Sequence, residues 1–424
     1  MSNIRFLAFA AITSLIFTSC LQDECTSSRT FVQWEAVFVP ESEIRPGINV
    51  SDSREINTPG NIYYYKNYLL INELREGVHV IDNSDPSSPI NIGFIEIPGN
   101  LDMAVKDDIL YADLYLDLVA IDISNPMQAK IIGRTDGVFN SYYPLIADAG
   151  YIIEYVPTER TIEVDCGDGR WGSKWFQNSA IDIFVAGDFS TTAGSSGAVS
   201  EVTGVGGSMA RFTIAKNYLY TLDGFQMRVF SIDDGMPDLE NTITVEWGIE
   251  TLFPYKDYLF IGANAGMFIM DNSDPAAPYV ISEFRHVQSC DPVFVVDDVA
   301  YVTLRGGTIC RGFVNQLDVL DISDIENPTL IRSYPMQNPH GLSVTDETLF
   351  LCEGQFGLKV FSVEDNTQID RNILDQIGGI DAYDVIALDN GDHLIVVGED
   401  GIYQYNASDR EKLSELSRIA VNRK

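Results

Sequence analysis

Short apolar runs recur along the chain, and each is ended by the same polar punctuation. Gly77-Val78-His79-Val80-Ile81-Asp82-Asn83-Ser84-Asp85-Pro86 returns as Asp117-Leu118-Val119-Ala120-Ile121-Asp122-Ile123-Ser124-Asn125-Pro126 and as Gly266-Met267-Phe268-Ile269-Met270-Asp271-Asn272-Ser273-Asp274-Pro275. A further copy is Gln316-Leu317-Asp318-Val319-Leu320-Asp321-Ile322-Ser323-Asp324. A unit repeating about every 40 residues means stacked β modules that share a core. The ending has a local cause: Asp and Ser side chains bond nearby backbone N–H groups in a turn, and Pro stops the pairing of the strand.

Within the second repeat the pattern predicts four strands, Asp102 to Lys106, Ile109 to Ala112, Leu118 to Ile121 and Lys130 to Gly133, with turn residues between them. The second-strand signal, as in Tyr68-Leu69-Leu70-Ile71 or Tyr258-Leu259-Phe260-Ile261, appears eight times. The fold class predicted is therefore all-β: a β-propeller of eight four-stranded blades, with seven as the alternative count. An open solenoid is the other architecture, but no polar capping repeats are evident. Phe31 to Val39 alternates like a strand and is expected to help close the ring beside the last blade. The propeller repeats cover 56–424.

Two places break the period. The third repeat carries an insertion at about 157–208, charged and Trp-rich at first and then Gly/Ser-rich, which reads as a mobile loop. Near the end, Ser408 and Glu411 ahead of Leu413, Leu416 and Ile419 could open a helix through a capping box. Aligned to the other repeats, the same residues are the turn and fourth strand of the last blade, and the strand is the reading adopted.

The chain has 424 residues, 62 acidic against 27 basic, for a net charge of −35. Such a field repels phosphate backbones, which argues against nucleic acid as a partner. Residues 1–19 have the form of an export signal: Arg5 is followed by the apolar run Phe6 to Phe17 and by small residues. Phe17-Thr18-Ser19-Cys20 resembles a bacterial lipoprotein cleavage box, which implies lipidation at Cys20 and a tether over 20–55. Leu21-Gln22-Asp23-Glu24 is similar to sequences that send some lipoproteins to the outer surface. The expected location is the outer membrane, through the lipid anchor only, facing the periplasm or the cell surface. An ordinary secretory signal is the alternative.

The Val-x-Ile-Asp-x-Ser-Asp-Pro cores at 78–86, 119–126, 267–275 and 319–324 look like the LVIVD repeat family of secreted bacterial β-propellers. The resemblance covers roughly 30–424 and implies a cell-envelope propeller. The family has no firmly established activity, so no catalytic residue carries over from it.

Candidate chemistry follows from topology. In a propeller the first strand of each blade lines the channel, and the loop between second and third strands sits at the end where that first strand begins. This places Asp102, Arg211, Glu250, Asp291 and His340 at the channel mouth, with Asp381 or Asp384 in the last blade. Arg75, Asp113, Tyr115, Arg305 and Glu399 belong to the matching loops, and Trp171 and Trp175 project from the insertion. Exposed Trp beside carboxylates and Arg suits a glycan or a peptide. Export favours disulfides, and Cys290 with Cys310 is the pair placed at one end of one blade; Cys352, inside a strand, reads as a buried thiol. The chain lacks GxSxG, HExxH and phosphate-loop signatures. The function expected is an envelope binding or assembly module for a protein or glycan, with no catalytic residue assigned. The alternative is a hydrolase or lyase using His340 and Asp291 in the channel. No cofactor is called for; Ca²⁺ on clustered carboxylates is the weak exception.

Overall fold

A computed structural model describes residues 26–165, 205–206, 210–245, 249–263, 266–285, 292–306, 314–345 and 347–423. It divides into two units, one of Val39–Ile153 and Asp188–Lys424 and a smaller one of Met1–Phe38 and Glu154–Gly187. Among the described residues, strands and short 3₁₀ turns make up the regular structure, and no helix is long and apolar enough to cross a membrane.

The chain forms an all-β propeller with eight antiparallel sheets. Seven of them carry the four-strand meander expected of a blade, and these spans are numbered I (59–96), II (103–135), III (212–244), IV (249–285), V (293–335), VI (342–377) and VII (382–420). Sheet I gains Asn49–Ser51 on its outer strand and Val205–Gly206 on its inner one. The eighth sheet stands where the third repeat was counted and has three strands, Thr26–Val39, Gly150–Asp165 and Leu145–Ile146 in that order. Among the described residues the inner strand of blade II contacts that of blade III directly. Ser414–Ala420 is a strand, as the repeat alignment predicted against the capping box.

The Asp/Ser turns work as their chemistry dictates. Asp82, Asp122 and Asp271 each accept from the backbone N–H (3.0, 3.0 and 2.8 Å) and the hydroxyl of the Ser two residues on. Asp365 does the same with Thr367. These donors hold the carboxyls of Asp82, Asp122, Asp271 and Asp365 below the ordinary range.

Each turn is also a docking point for the preceding blade. Every outer strand has a β-bulge, and the residue just after the unpaired one reaches the next blade's turn. Gly93 and Gly133 leave the space that Met127 and Met236 fill. Asn241 donates to Ala276 O (3.2 Å), Ser282 to Ile325 O (2.6 Å) and Arg332 to Thr367 O (2.5 Å). Asp375 accepts from Leu413 N (2.8 Å), and Ser417 donates to Pro86 O (2.6 Å), which returns the series to blade I. The bulge bends the strand and turns this one position sideways, toward the next blade. Seven blades thus make seven equivalent contacts.

Apolar side chains fill the seams between blades in clusters that run I–II–III, III–IV, IV–V–VI, VI–VII and VII–I. Second-strand aromatics are fully buried there, among them Tyr111, Tyr220, Phe260, Tyr301 and Phe350. Burial of such a ring contributes about 2–3 kcal/mol. The tyrosines also spend their hydroxyls across the seam: Tyr111 on Gly235 O, Tyr220 on Asn272 Oδ1 and Tyr301 on Asn366 Oδ1.

Closure differs from the sequence expectation. Phe31–Val39 pairs beside Gly150–Asp165 instead of the last blade, because the third repeat leaves a long strand edge there without the meander. The seam between VII and I is locked by Asn83 and Gln404, whose buried amides exchange two hydrogen bonds (3.0 and 2.7 Å). Ile56 bridges Val421 in parallel and accepts from Asn422 N (2.8 Å).

Candidate functional site at the channel mouth

The inner strands enter the channel at the end that also carries the loops between second and third strands, and two polar nodes lie there.

The first node joins blades I, II and III. Asp102, just ahead of the inner strand Met103–Lys106, is fully buried. Its Oδ1 accepts from Met103 N (2.7 Å) and from Asn61 Nδ2 of blade I. Its Oδ2 accepts from Arg211 N (2.8 Å) and Phe212 N (3.0 Å) of blade III. One carboxylate therefore stitches three inner strands. Asp113 supports it from below, accepting from Leu101 N, Asp102 N and Asn100 Nδ2 at 2.8–2.9 Å. Burial pushes the Asp102 carboxyl up to about 6 and raises Asp113, while the Arg211 guanidinium opposes both shifts. That guanidinium lies 5.3 Å from the Tyr142 ring. The arrangement resembles a mortise, with its lone pairs already taken.

Glu73 and His79 make a smaller version inside blade I. Glu73 accepts from Asn57 N, Thr58 N and the Thr58 hydroxyl, and meets His79 Nε2 at 3.1 Å. It draws the segment entering blade I onto the sheet.

The second node spans blades V, VI and VII. His340, 3% exposed, is held by its backbone: its N–H donates to Cys352 O (2.8 Å) and its carbonyl accepts from the Thr303 hydroxyl (2.8 Å). Asn338 Nδ2 (3.1 Å) and Arg305 Nη1 (3.4 Å) face its Nε2. Both are donors, so Nε2 accepts and the ring proton sits on Nδ1, which has no hydrogen-bond partner. Burial and Arg305 lower the imidazole to about 3, so the ring is neutral. Gly354, at φ +53°, makes an antiparallel bridge with Ala382 and brings the blade VI loop onto the channel strand of VII. A side chain at Gly354 would collide with Asn338 and crowd His340 Nε2 and Asp381 Oδ1. Next to this point the Tyr383 hydroxyl donates to Glu399, which Arg423 approaches at 3.4 Å. The Tyr383 ring lies 5.3 Å from the His340 ring. Burial and the Glu399 charge raise the half-buried Asp381 carboxyl.

The structure thus brings Asp102 and Arg211 together in one node and places His340 in another with Arg305, Asp381 and Glu399. Glu250 belongs to the inner strand of blade IV. Asp291, Trp171, Trp175, Cys20, Cys290 and Cys310 lie outside the described residues. Cys352 is a buried thiol, which burial raises well above its ordinary value. Among the described residues no three His, Cys, Asp or Glu side chains converge as a metal site requires. Sequence reasoning passed over Asn338 and Tyr383; a register count from Gly354 to Ala382 would have found them, but that bridge leaves no periodic mark.

No curated protein matches the chain. Among solved structures it is similar to a computationally designed protein, Ika8, at 10% identity and TM-score 0.51, covering 88% of this chain and 92% of that one. It is also similar to dihydro-heme d1 dehydrogenase NirN, at 10% identity and TM-score 0.50, covering 86% and 67%. At that identity the likeness is one of fold alone. The LVIVD repeat model matches residues 60–95, 101–136, 255–285 and 297–335, in blades I, II, IV and V. The chain is an all-β propeller that carries four LVIVD repeats.

Proposed function

We propose that this protein is an exported, lipid-anchored β-propeller of the cell envelope that binds a protein or glycan partner at the V–VII part of its channel mouth. The observation that carries this reading is the contrast between the two nodes. Asp102 has its acceptor capacity taken by the fold, whereas the His340 node combines a buried ring bearing an unpartnered Nδ1 with half-exposed Arg305, Asn338, Asp381 and Tyr383. Guanidinium, amide, carboxylate and phenol groups around an aromatic face suit a partner rich in hydroxyls or peptide groups. His340 faces two donors through Nε2, which is the setting of a hydrogen-bond acceptor. Cys20 is the proposed lipidation site, and Cys290–Cys310 the proposed disulfide.

The test is capture from envelope extracts by immobilised protein. Arg305→Ala with His340→Asn should reduce capture at least about tenfold if the two side chains supply ordinary hot-spot energies. Pretreating the extract with protease or with periodate tells a protein partner from a glycan. Undiminished capture by the double variant would refute the site. Metabolic labelling with a fatty acid, lost in Cys20→Ser, tests the anchor.

A further inference from the structure

The smaller unit presents an apolar strand face. Along Thr26–Val39 alternate residues share a side, and Val32, Trp34 and Phe38 on one side are 53%, 43% and 42% exposed. Glu35, on the alternate side of the strand, is paired with Arg160 at 2.5 Å.

What covers that side follows from the chain. The strand begins six residues after Cys20 (26 − 20), and six extended residues reach at most about 20 Å. If Cys20 carries lipid, the start of the strand is therefore held close to the bilayer surface. Trp and Phe settle at the boundary between headgroups and acyl chains, where a ring can bury its face and an indole N–H stays wet. We infer that the Val32–Trp34–Phe38 face docks on the bilayer to which Cys20 is anchored, a reading that rests on lipidation at that residue. The contact is apolar in origin. The net charge of −35 means that uncharged phosphatidylcholine binds better than anionic lipid, and that added salt does not weaken binding to it.

The test uses the chain from residue 20 onward with Cys20→Ser, so that no acyl group contributes. Trp171, Trp175 and Trp247 are replaced by Phe to leave Trp34 as the reporter. With phosphatidylcholine vesicles, Trp34 emission should shift to the blue and be quenched by acyl-brominated lipid. Val32→Ser with Phe38→Ser should lower the partition coefficient about tenfold. Flotation of the same chain with its native tryptophans gives a second reading if the reporter variant does not fold. Absence of quenching and of flotation overturns the inference. So does concentration-dependent self-association that Val32→Ser with Phe38→Ser abolishes, since a second copy would then cover the face. The mass of Cys20 in the full-length exported protein separates the two readings: acylated Cys20 with unquenched Trp34 sinks the docking alone, and unmodified Cys20 sinks the anchor.

Discussion

Asp102 and His340 hold similar places, each just before an inner strand and each almost wholly out of solvent, yet their surroundings make them opposites. Around Asp102 four donors from three blades converge on one carboxylate, and the residue acts as part of the frame. Around His340 the backbone is held but the ring is not fully used, and half-exposed polar groups stand beside it. Burial alone therefore does not tell a structural polar residue from an available one. The count of satisfied donors and acceptors does.

Replacing Asp102 should have the largest effect on stability. Asp102→Ala removes the acceptor that Met103 N, Arg211 N, Phe212 N and Asn61 Nδ2 share, a loss of about 3–5 kcal/mol by denaturant titration. A loss under about 1 kcal/mol would erase the distinction between the nodes. Gln404→Leu opens the VII–I lock and strands the Asn83 amide, which should cost about 2–3 kcal/mol.

The pH dependence has opposite signs at the two nodes. His340 is lowered to about 3 in the folded state, so the stability it confers is present above its ordinary value near 6.5 and is lost as pH falls below that. The slope is about 1.4 kcal/mol per pH unit. Asp102 is raised to about 6 from 3.8, so the folded state takes up a proton in that window and gains stability as pH falls through it. Stability measured against pH should therefore show His340→Asn gaining on the wild type between pH 6.5 and 4. Asp102→Asn should fall further behind over the lower part of the same range. Parallel curves would mean that the two groups are not differently placed. The smallest stability effect belongs to Arg305→Ala with Tyr383→Phe, under about 1 kcal/mol because both side chains are half-exposed.

Much of this was legible in the chain. Strand order, turn chemistry and the propeller follow from a short apolar run ended by Asp-x-Ser, because the pattern is local. The third repeat is less so. Tyr151-Ile152-Ile153 has the second-strand pattern, but Gly150–Asp165 runs on as one long strand paired outside any meander. Partner choice is non-local, and Phe31–Val39 shows the same limit. Asp102, Arg211 and His340 were placed at the mouth by alignment; their hydrogen bonds were not readable, since Asn61 and Thr303 belong to other blades. The sevenfold bulge contact was also hidden, because Gly93, Asn241, Arg332 and Asp375 have no residue type in common.

The most direct test is equilibrium binding of the captured partner to wild type, Asp102→Asn and Arg305→Ala/Tyr383→Phe, with the melting temperature taken on each sample. The account predicts that Asp102→Asn melts lower yet binds normally per folded molecule, and that Arg305→Ala/Tyr383→Phe melts normally yet binds at least about tenfold more weakly. Normal binding by Arg305→Ala/Tyr383→Phe, or lost binding by folded Asp102→Asn, would contradict it.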